Sequence, residues 1–530
     1  MSSPESLSDK QHITITHSND GAKQAQSSAA VFNPDVDVSG IDERKLMRKV
    51  DSRTIPWLAF LYLLAFLDRT SIGNAKLYGL ETDLHLTDTQ YLLCLTLFFF
   101  SYAIFEVPSN IVLKRLRPSV WLSLLMLLWG ISMPYGCVVV ATSTLGFDDL
   151  DLIALRWLLG MFEAGLFPGV TYYLSCWYKR SEFGVRIAIF FSAATVSGAF
   201  GGLLAAGISR LEGVGGRPAW SWIFIIEGLA TVVAGALSFW IIVDFPEDAA
   251  FLTEAERTVV IRRLQGDDQF SAAGERLKWK NIVASLTDWK TYLYSTSRLE
   301  FCDRVAERTL AIVYSGADMA LYAFALFLPS IISQVYSRIC YKATPANLLT
   351  VPVYVLACIV TCSVGFLADR YGNRGWFNLR DHIIHPAAAG YIILISSRNA
   401  TLSYIAVYLA ACAWAANNLE GTYKRSVSLG VIISVGNLQG AISSNVYRAN
   451  QTPWYPLGHG LVLMYICFGL ISTVAMIFML KAENGRRERG ERDEVIDKYD
   501  GGLEVNGRFG SVEDAQREKG DRWSGYRYML

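Results

Sequence analysis

Four charged residues lie in stretches that are otherwise apolar, and their types could bind an anion and carry protons. Asp68 and Arg69 interrupt the stretch LAFLDRTSIGNA, and Arg156 and Glu163 lie in LRWLLGMFEAGLFPG. Arg156 and Glu163 are about two helical turns apart, so a helix would place them on one face. The pattern favours an interior cavity in which a cation binds an anionic substrate and carboxylates take up protons. A structural ion network between helices is the alternative.

These residues need a membrane-spanning framework, which the composition indicates. Of the 530 residues, 52% are hydrophobic and 18% are charged, whereas a soluble chain carries about 25% charge. A charge near the bilayer centre costs about 2.5–3.5 kcal/mol on insertion scales, so a charge that is kept there needs a reason.

The zero net charge gives no sign of nucleic-acid binding. The absence of a GxxxxGK[ST] loop argues against an ATP-driven pump, and we expect no enzymatic activity, cofactor or metal.

A membrane helix needs roughly 20 mainly apolar residues, and twelve such spans can be assigned. This predicts an all-α membrane protein with the twelve-helix major facilitator fold, in which two six-helix halves are joined by a cytoplasmic loop. The predicted spans are Ile55–Tyr78, Tyr91–Leu113, Val120–Ala141, Leu150–Trp177, Arg186–Ser209, Ser221–Val243, Ala311–Gln334, Leu348–Ala368, Pro386–Ser397, Thr401–Ala416, Val427–Val446 and Leu457–Leu480. The predicted regions are a disordered tail (1–54), the first half (55–243), the central loop (244–310), the second half (311–480) and a second tail (481–530).

The orientation in the membrane follows from the placement of lysine and arginine. The loops after even-numbered spans are basic, while the loop after the third span is acidic. Basic loops stay in the cytoplasm, so both termini and the central loop are predicted to be cytoplasmic, and we expect a multi-pass protein of the plasma membrane. The basic residues are Lys114, Arg115, Arg117, Lys179, Arg180, Arg186, Arg370, Arg374, Lys424 and Arg425.

The loop after the eighth span carries a specific motif, GFLADRYGNRG. It resembles the loop motif G-x-x-x-D-R-x-G-x-[RK] of the major facilitator superfamily, which would act here as a conformational gate. The symmetric loop in the first half, NIVLKRLRP, has Asn110 in place of the glycine and Lys114 in place of the aspartate. The gate residues are Gly365, Asp369, Arg370, Gly372 and Arg374.

From about Arg44 to Leu480 the chain resembles the fungal allantoate-permease group of the anion:cation symporter family. The stretches that carry the resemblance are LDRTSIGNA, FEVPSNIVLKRL, RWLLGMFEAGLFPGV, WSWIFIIEG, DFPEDAAFLTEAER, GNLQGAISSNVYR and PWYPLGH. The resemblance implies import of a small organic anion by proton symport and alternating access, and the first span is most similar to nicotinate carriers. The implied partners are the anion, a proton and the lipid bilayer, and we expect a monomer.

The same resemblance implies roles for individual residues. Arg69 would bind the substrate carboxylate, and Arg156 would act with it. Asp68 and Glu163 would be the proton-coupling residues. Three other acids lie within predicted spans, and we interpret them as structural: Glu106, Glu227 and Asp318.

Three places in the second half depart from the family pattern. Charged residues crowd the segment 295–312, the ninth span begins with charges near 379–386, and the tenth span is short near 412–416. These features predict a retained intron and lost coding sequence. A non-functional splice product is therefore one alternative function, and a non-transporting nutrient sensor on the same fold is another.

Overall fold

The computed structural model describes residues 32–113, 116–142, 149–265, 301–335, 343–371, 384–411 and 436–491, and the short pieces 495–496, 508–509 and 524–525. Within these residues, seven helices are long and apolar enough to cross a membrane, and four shorter apolar helices accompany them. The predicted all-helical membrane fold is confirmed. The strands among the described residues are one parallel pair, β1 (Val495–Ile496) and β2 (Arg508–Phe509).

The first half of the bundle is described from its first helix to its last. Its helices are α1 (Glu43–Leu77), α2 (Leu80–Asp83), α3 (Asp88–Leu113), α4 (Pro118–Thr142), α5 (Asp149–Glu163), α6 (Leu166–Ser175), α7 (Arg180–Ile208) and α8 (Ala219–Ile241). A further helix, α9 (Glu254–Gln265), follows in the predicted central loop. Short 3₁₀ turns lie at Ser209–Leu211, Val214–Gly216 and Pro246–Asp248.

Helix α1 begins twelve residues before the predicted first span, because its start is set by a polar cap. The carboxylate of Asp42 accepts hydrogen bonds from the backbone N–H groups of Arg44 (2.9 Å) and Lys45 (3.4 Å). Such a cap satisfies donors that have no partner within the helix. The first membrane helix therefore extends into the polar phase before it becomes apolar.

The predicted fourth span matches one apolar segment of membrane-crossing length, Asp151–Ser175, but this segment consists of two helices. Helix α5 ends at Glu163 and α6 begins at Leu166. Pro168 lies in the first turn of α6, where its missing N–H is tolerated, whereas inside a continuous helix its ring would meet the carbonyl of Ala164. The interruption directly follows Glu163, which is thereby placed at a helix end.

The described helices of the second half are α10 (Phe301–Val335), α11 (Ala343–Tyr371), α12 (Ile384–Ser396), α13 (Ala400–Ala411), α14 (436–443) and α15 (Pro456–Glu488). A 3₁₀ turn lies at Ala449–Gln451. Helix α10 begins ten residues before the predicted seventh span, so part of the segment 295–312 is helical instead of loop. The predicted tail from 481 likewise begins with eight residues of α15.

The two halves pack against each other at the end where α1 and α7 finish, which we call the distal end. Helix α1 contacts α10, and α7 contacts α11. Glycines allow this approach: a Cβ at Gly73 would lie 2.6 Å from the backbone oxygen of Leu326, and one at Gly202 would lie 2.6 Å from that of Asn347. The distal end is therefore closed in this conformation.

Candidate functional site

Arg69 lies in the interior of the first half, with 4% of its surface exposed. Its Nε donates a hydrogen bond of 3.0 Å to Oε1 of Glu163, and its Nη2 donates to the same oxygen. The second carboxylate oxygen of Glu163 has no hydrogen-bond partner among the described residues. The guanidinium and the carboxylate thus form an ion pair between α1 and α5 that is removed from water.

Aromatic rings surround the guanidinium of Arg69. Its central carbon lies 4.7 Å from the ring centre of Phe66, 5.5 Å from that of Phe98, 5.1 Å from that of Tyr102 and 5.6 Å from that of Tyr322. A ring face attracts a cation, most strongly where water is excluded. The rings also offer flat apolar surface beside the positive charge, a setting that suits a ligand with an anionic group and an apolar body.

A chain of polar side chains connects Arg69 to the second half. Nη1 of Arg69 donates to the hydroxyl of Tyr322 on α10 at 3.1 Å, and that hydroxyl donates to the side-chain oxygen of Asn437 on α14. The amide nitrogen of Asn437 donates to Glu106 on α3 at 3.2 Å. Sequence reasoning missed Tyr322 and Asn437, because a single tyrosine or asparagine in an apolar helix gives no recognisable motif.

Asp68 is fully buried beside this site but faces the other way, toward α8. It accepts a hydrogen bond of 2.9 Å from the hydroxyl of Thr231. Arg156 is also buried, and its guanidinium lies 5.7 Å from the ring centre of Phe224 on α8. Arg156 acts electrostatically on Asp68 and on Glu163. The two arginines therefore have different surroundings: Arg69 pairs with Glu163, and Arg156 lies against the ring of Phe224.

The structure brings together the four residues that the sequence singled out, Asp68, Arg69, Arg156 and Glu163, within one polar cluster of the first half. Arg156 and Glu163 are both buried on α5, as their spacing predicted. The gate motif lies outside the described side chains. Gly365, Asp369 and Arg370 lie in the last turns of α11 with their side chains outside the described residues, and Gly372 and Arg374 lie outside them entirely.

The chemistry of the cluster allows the uptake of a proton by Glu163 to favour the binding of an anion by Arg69. While Glu163 is ionised it occupies the guanidinium of Arg69; once protonated it becomes a weak partner and leaves Arg69 available to another carboxylate. A planar guanidinium with a buried, aromatic lining is suited to a bidentate carboxylate. Within the described residues, no group of three or more metal-binding side chains is present.

Comparison with known proteins agrees with this architecture. The family model of the Major Facilitator Superfamily matches residues 58–476. The MFS-type transporter cnsO of Penicillium expansum is 33% identical over 87% of this chain and 88% of its own length. The high-affinity nicotinic acid transporter of Saccharomyces cerevisiae is 29% identical, over 84% of this chain and 79% of its own.

Solved structures show the same fold at low sequence identity. The proton:xylose symporter XylE from E. coli superposes with a TM-score of 0.57 at 13% identity, over 80% of this chain and 96% of that one. A bacterial homolog to the human lysosomal transporter Spinster superposes with a TM-score of 0.55 at 15% identity, over 81% and 97%. The helical bundle, the polar cluster within it and the match over most of its length lead to one conclusion: the chain belongs to the Major Facilitator Superfamily, whose members similar to it are fungal membrane transporters.

Proposed function

We propose that this transporter imports a small organic anion, a carboxylate of the nicotinate type, by proton symport and alternating access. The observation that carries the proposal is the buried Arg69 guanidinium, bonded to Glu163 and ringed by aromatic side chains. A buried cation in an apolar pocket favours an anion with a flat apolar body. The similarity to the nicotinic acid transporter supports the same substrate class.

Coupling follows from competition for Arg69. A proton from the exterior would neutralise Glu163, and the substrate carboxylate would then take its place on the guanidinium. Loss of the proton to the cytoplasm would return Glu163 to Arg69 and displace the substrate. Because neither binding event is favourable without the other, anion and proton would cross together.

The second half completes the site in this proposal. The hydroxyl of Tyr322 already contacts Arg69 at 3.1 Å, so it can donate to the substrate carboxylate when that group arrives. Arg156 adds a second positive charge to the cavity, and Asp68 is a second acid that can take up protons. Since Tyr322 and Arg69 belong to different halves, the substrate would bridge the halves and favour their closure around it.

Alternating access requires the distal contacts to separate. By the placement of lysine and arginine, the distal end is exterior and both termini are cytoplasmic, as expected of a plasma-membrane importer. The motif at Gly365, Asp369, Arg370, Gly372 and Arg374 would then hold the opposite, cytoplasmic end together when the distal end opens.

Uptake of radiolabelled carboxylates into proteoliposomes tests the proposal. With an inwardly directed proton gradient, we expect accumulation of labelled nicotinate, or of another member of a panel containing allantoate, pantothenate and biotin. Collapse of the gradient with a protonophore should abolish accumulation while leaving exchange of bound substrate intact. Binding without uptake would indicate a sensor, and absence of both for the whole panel would contradict the carboxylate assignment.

A further inference from the structure

A second cluster of buried acids lies next to the Arg69 site, between α1 and α8. Asp68 and Glu227 are 0% and 2% exposed. Thr231, which bonds to Asp68, follows Glu227 by one helical turn, so both point from the same face of α8 toward α1. Asp68 is the ionisable group that acts most strongly on Glu227.

This cluster offers too few donors for two ionised carboxylates. Among the described residues, neither oxygen of Glu227 and only one oxygen of Asp68 accepts a hydrogen bond of normal geometry. The hydroxyl of Ser71 lies beside Glu227 but donates to the backbone oxygen of Asp68 at 2.8 Å. Buried carboxylates normally receive several donors, so the supply is sufficient for one ionised carboxylate at most.

The charges of the first half lead to the same conclusion. Its described membrane helices bury four acids (Asp68, Glu106, Glu163 and Glu227) and two arginines (Arg69 and Arg156). Arg69 is bonded to Glu163, and Glu106 accepts from the amide of Asn437. Arg156 is therefore the cation that acts on both Asp68 and Glu227. One positive charge balances one of these two carboxylates.

We propose that Asp68 and Glu227 share a single proton, so that Glu227 is a second proton site of the transporter and not merely a structural residue. The groups that face the pair are Arg156 and Glu163 from α5 and the indole N–H of Trp129 from α4. Helices α4 and α7 also pack against α8. Their described residues 118–133 and 187–208 include no ionisable side chain.

The consequence for transport rests on the proposed symport. A proton held by the pair keeps one negative charge close to Arg156. Loss of that proton would add a second negative charge beside the helix that carries Glu163, and would favour proton uptake by Glu163 in turn. The pair would thus act as a proton store that feeds the coupling residue.

An infrared titration of the full-length protein in lipid tests the shared proton without any substrate. The probe is the C=O stretch of a protonated carboxyl group, followed from neutral to alkaline pH by attenuated total reflection. We expect Glu227→Gln, Asp68→Asn and the double variant each to lose the same one band. Either single change leaves one carboxylate, which stays ionised because Arg156 balances its charge and so gives no protonated C=O band. The control Glu256→Gln removes a partly exposed carboxylate of α9, away from the buried pair, and should leave the band unchanged.

Two outcomes would overturn the proposal: bands lost additively by the two single variants, or no band lost by Glu227→Gln. If a charge-removing variant fails to insert, Thr231→Val serves instead. It keeps both carboxyls, so the band should persist but shift to higher frequency because the hydroxyl bond to Asp68 is gone; an unchanged band would also contradict the proposal. Absence of carboxylate uptake by the wild-type protein, in contrast, would refute the proposed function and leave the shared proton standing.

Discussion

At the scale of single residues, the site depends on the planar shape of the Arg69 guanidinium as well as on its charge. Arg69 uses two of its nitrogens on one carboxylate oxygen and a third on the hydroxyl of Tyr322. A lysine could supply the charge but not this planar set of donors. Residue-level variants therefore distinguish a site that merely needs a positive charge from one that needs a guanidinium.

Arg69→Lys should reduce carboxylate uptake by about 10- to 100-fold, the loss expected when one or more charge-assisted hydrogen bonds are removed. The measurement is initial uptake at equal surface expression. Lys76→Arg is the matched control, since it exchanges the same two cation types at the outer end of the same helix, where Lys76 pairs with Glu81. Near-normal uptake by Arg69→Lys would exclude a bidentate role.

Glu163→Gln should separate binding from coupling. The amide keeps the size of the side chain but cannot take up a proton, and it leaves Arg69 without its ionic partner. We expect nicotinate binding to become independent of pH, exchange to persist, and accumulation against a gradient to be lost. An unchanged pH profile of uptake would transfer the coupling role from Glu163 to Asp68.

At the scale of helices, the distal closure depends on glycines that allow backbones to approach. Helix α7 carries Gly202, where a Cβ would lie 2.6 Å from the backbone oxygen of Asn347 and 2.7 Å from the side-chain hydroxyl of Thr350. Gly207 lies on the same helix, and a Cβ there would have no heavy atom within 4 Å. The two positions thus differ in their packing against α11 while sharing the same helical backbone.

Gly202→Ala should shift the conformational equilibrium away from distal closure, because overpacking typically costs about 1–3 kcal/mol. The reporter is a cysteine placed at Thr96 on α3, where the hydroxyl accepts a hydrogen bond of 2.8 Å from Asn445 of the second half. With the other cysteines replaced, its labelling by a membrane-impermeant maleimide should rise by about fivefold or more. Gly207→Ala is the control and should leave labelling unchanged. Equal labelling in the two variants would show that this glycine contact does not hold the distal end.

Within the described residues, two helices of the second half are shorter than a bilayer requires. As described, α12 has 13 residues and α13 has 12, about 18–20 Å of helix against roughly 30 Å of hydrocarbon. We expect sequenced transcripts to add apolar residues near Leu379 and Cys412 and to lack most of 295–312. A transcript that encodes the present sequence throughout, with a product that transports, would show that the short helices suffice.

At the scale of the whole molecule, ion pairs beyond the membrane connect the segment before the first span, the start of α7 and the helix of the central loop. Arg263 on α9 pairs with Glu43 (3.0 Å) and with Glu182. Lys49 pairs with Glu256 on α9 at 2.7 Å. The hydrogen bond from Lys49 lowers the pKa of Glu256 below its ordinary value.

Because the pKa of Glu256 is lower in the folded protein, this pair stabilises the fold above the ordinary pKa of glutamate and less as the pH falls through the lowered value. Both side chains are partly exposed, so Lys49→Ala should change stability by less than about 1 kcal/mol at neutral pH. Arg263→Ala should lower the unfolding temperature more, since Arg263 is buried and serves two carboxylates. The measurement is thermal unfolding in detergent. Equal unfolding temperatures for the two variants would contradict this ranking.

The sequence by itself indicated the all-helical membrane fold and the charges within its apolar stretches, because length and apolarity are local properties. The spacing of Arg156 and Glu163 likewise fixed their common face. Helix ends were harder to predict from the sequence. The cap at Asp42 and the proline at position 168 set helix boundaries that a hydropathy pattern does not show.

Only the tertiary structure decided which polar groups meet. Tyr322 and Arg69 are 253 residues apart, and Thr231 and Asp68 are 163 apart. The rotation and depth of each helix follow from packing with its neighbours, as at Gly73 and Gly202, and no local pattern encodes them. For that reason Glu227, which appeared structural in the sequence, packs beside Asp68 in the folded protein.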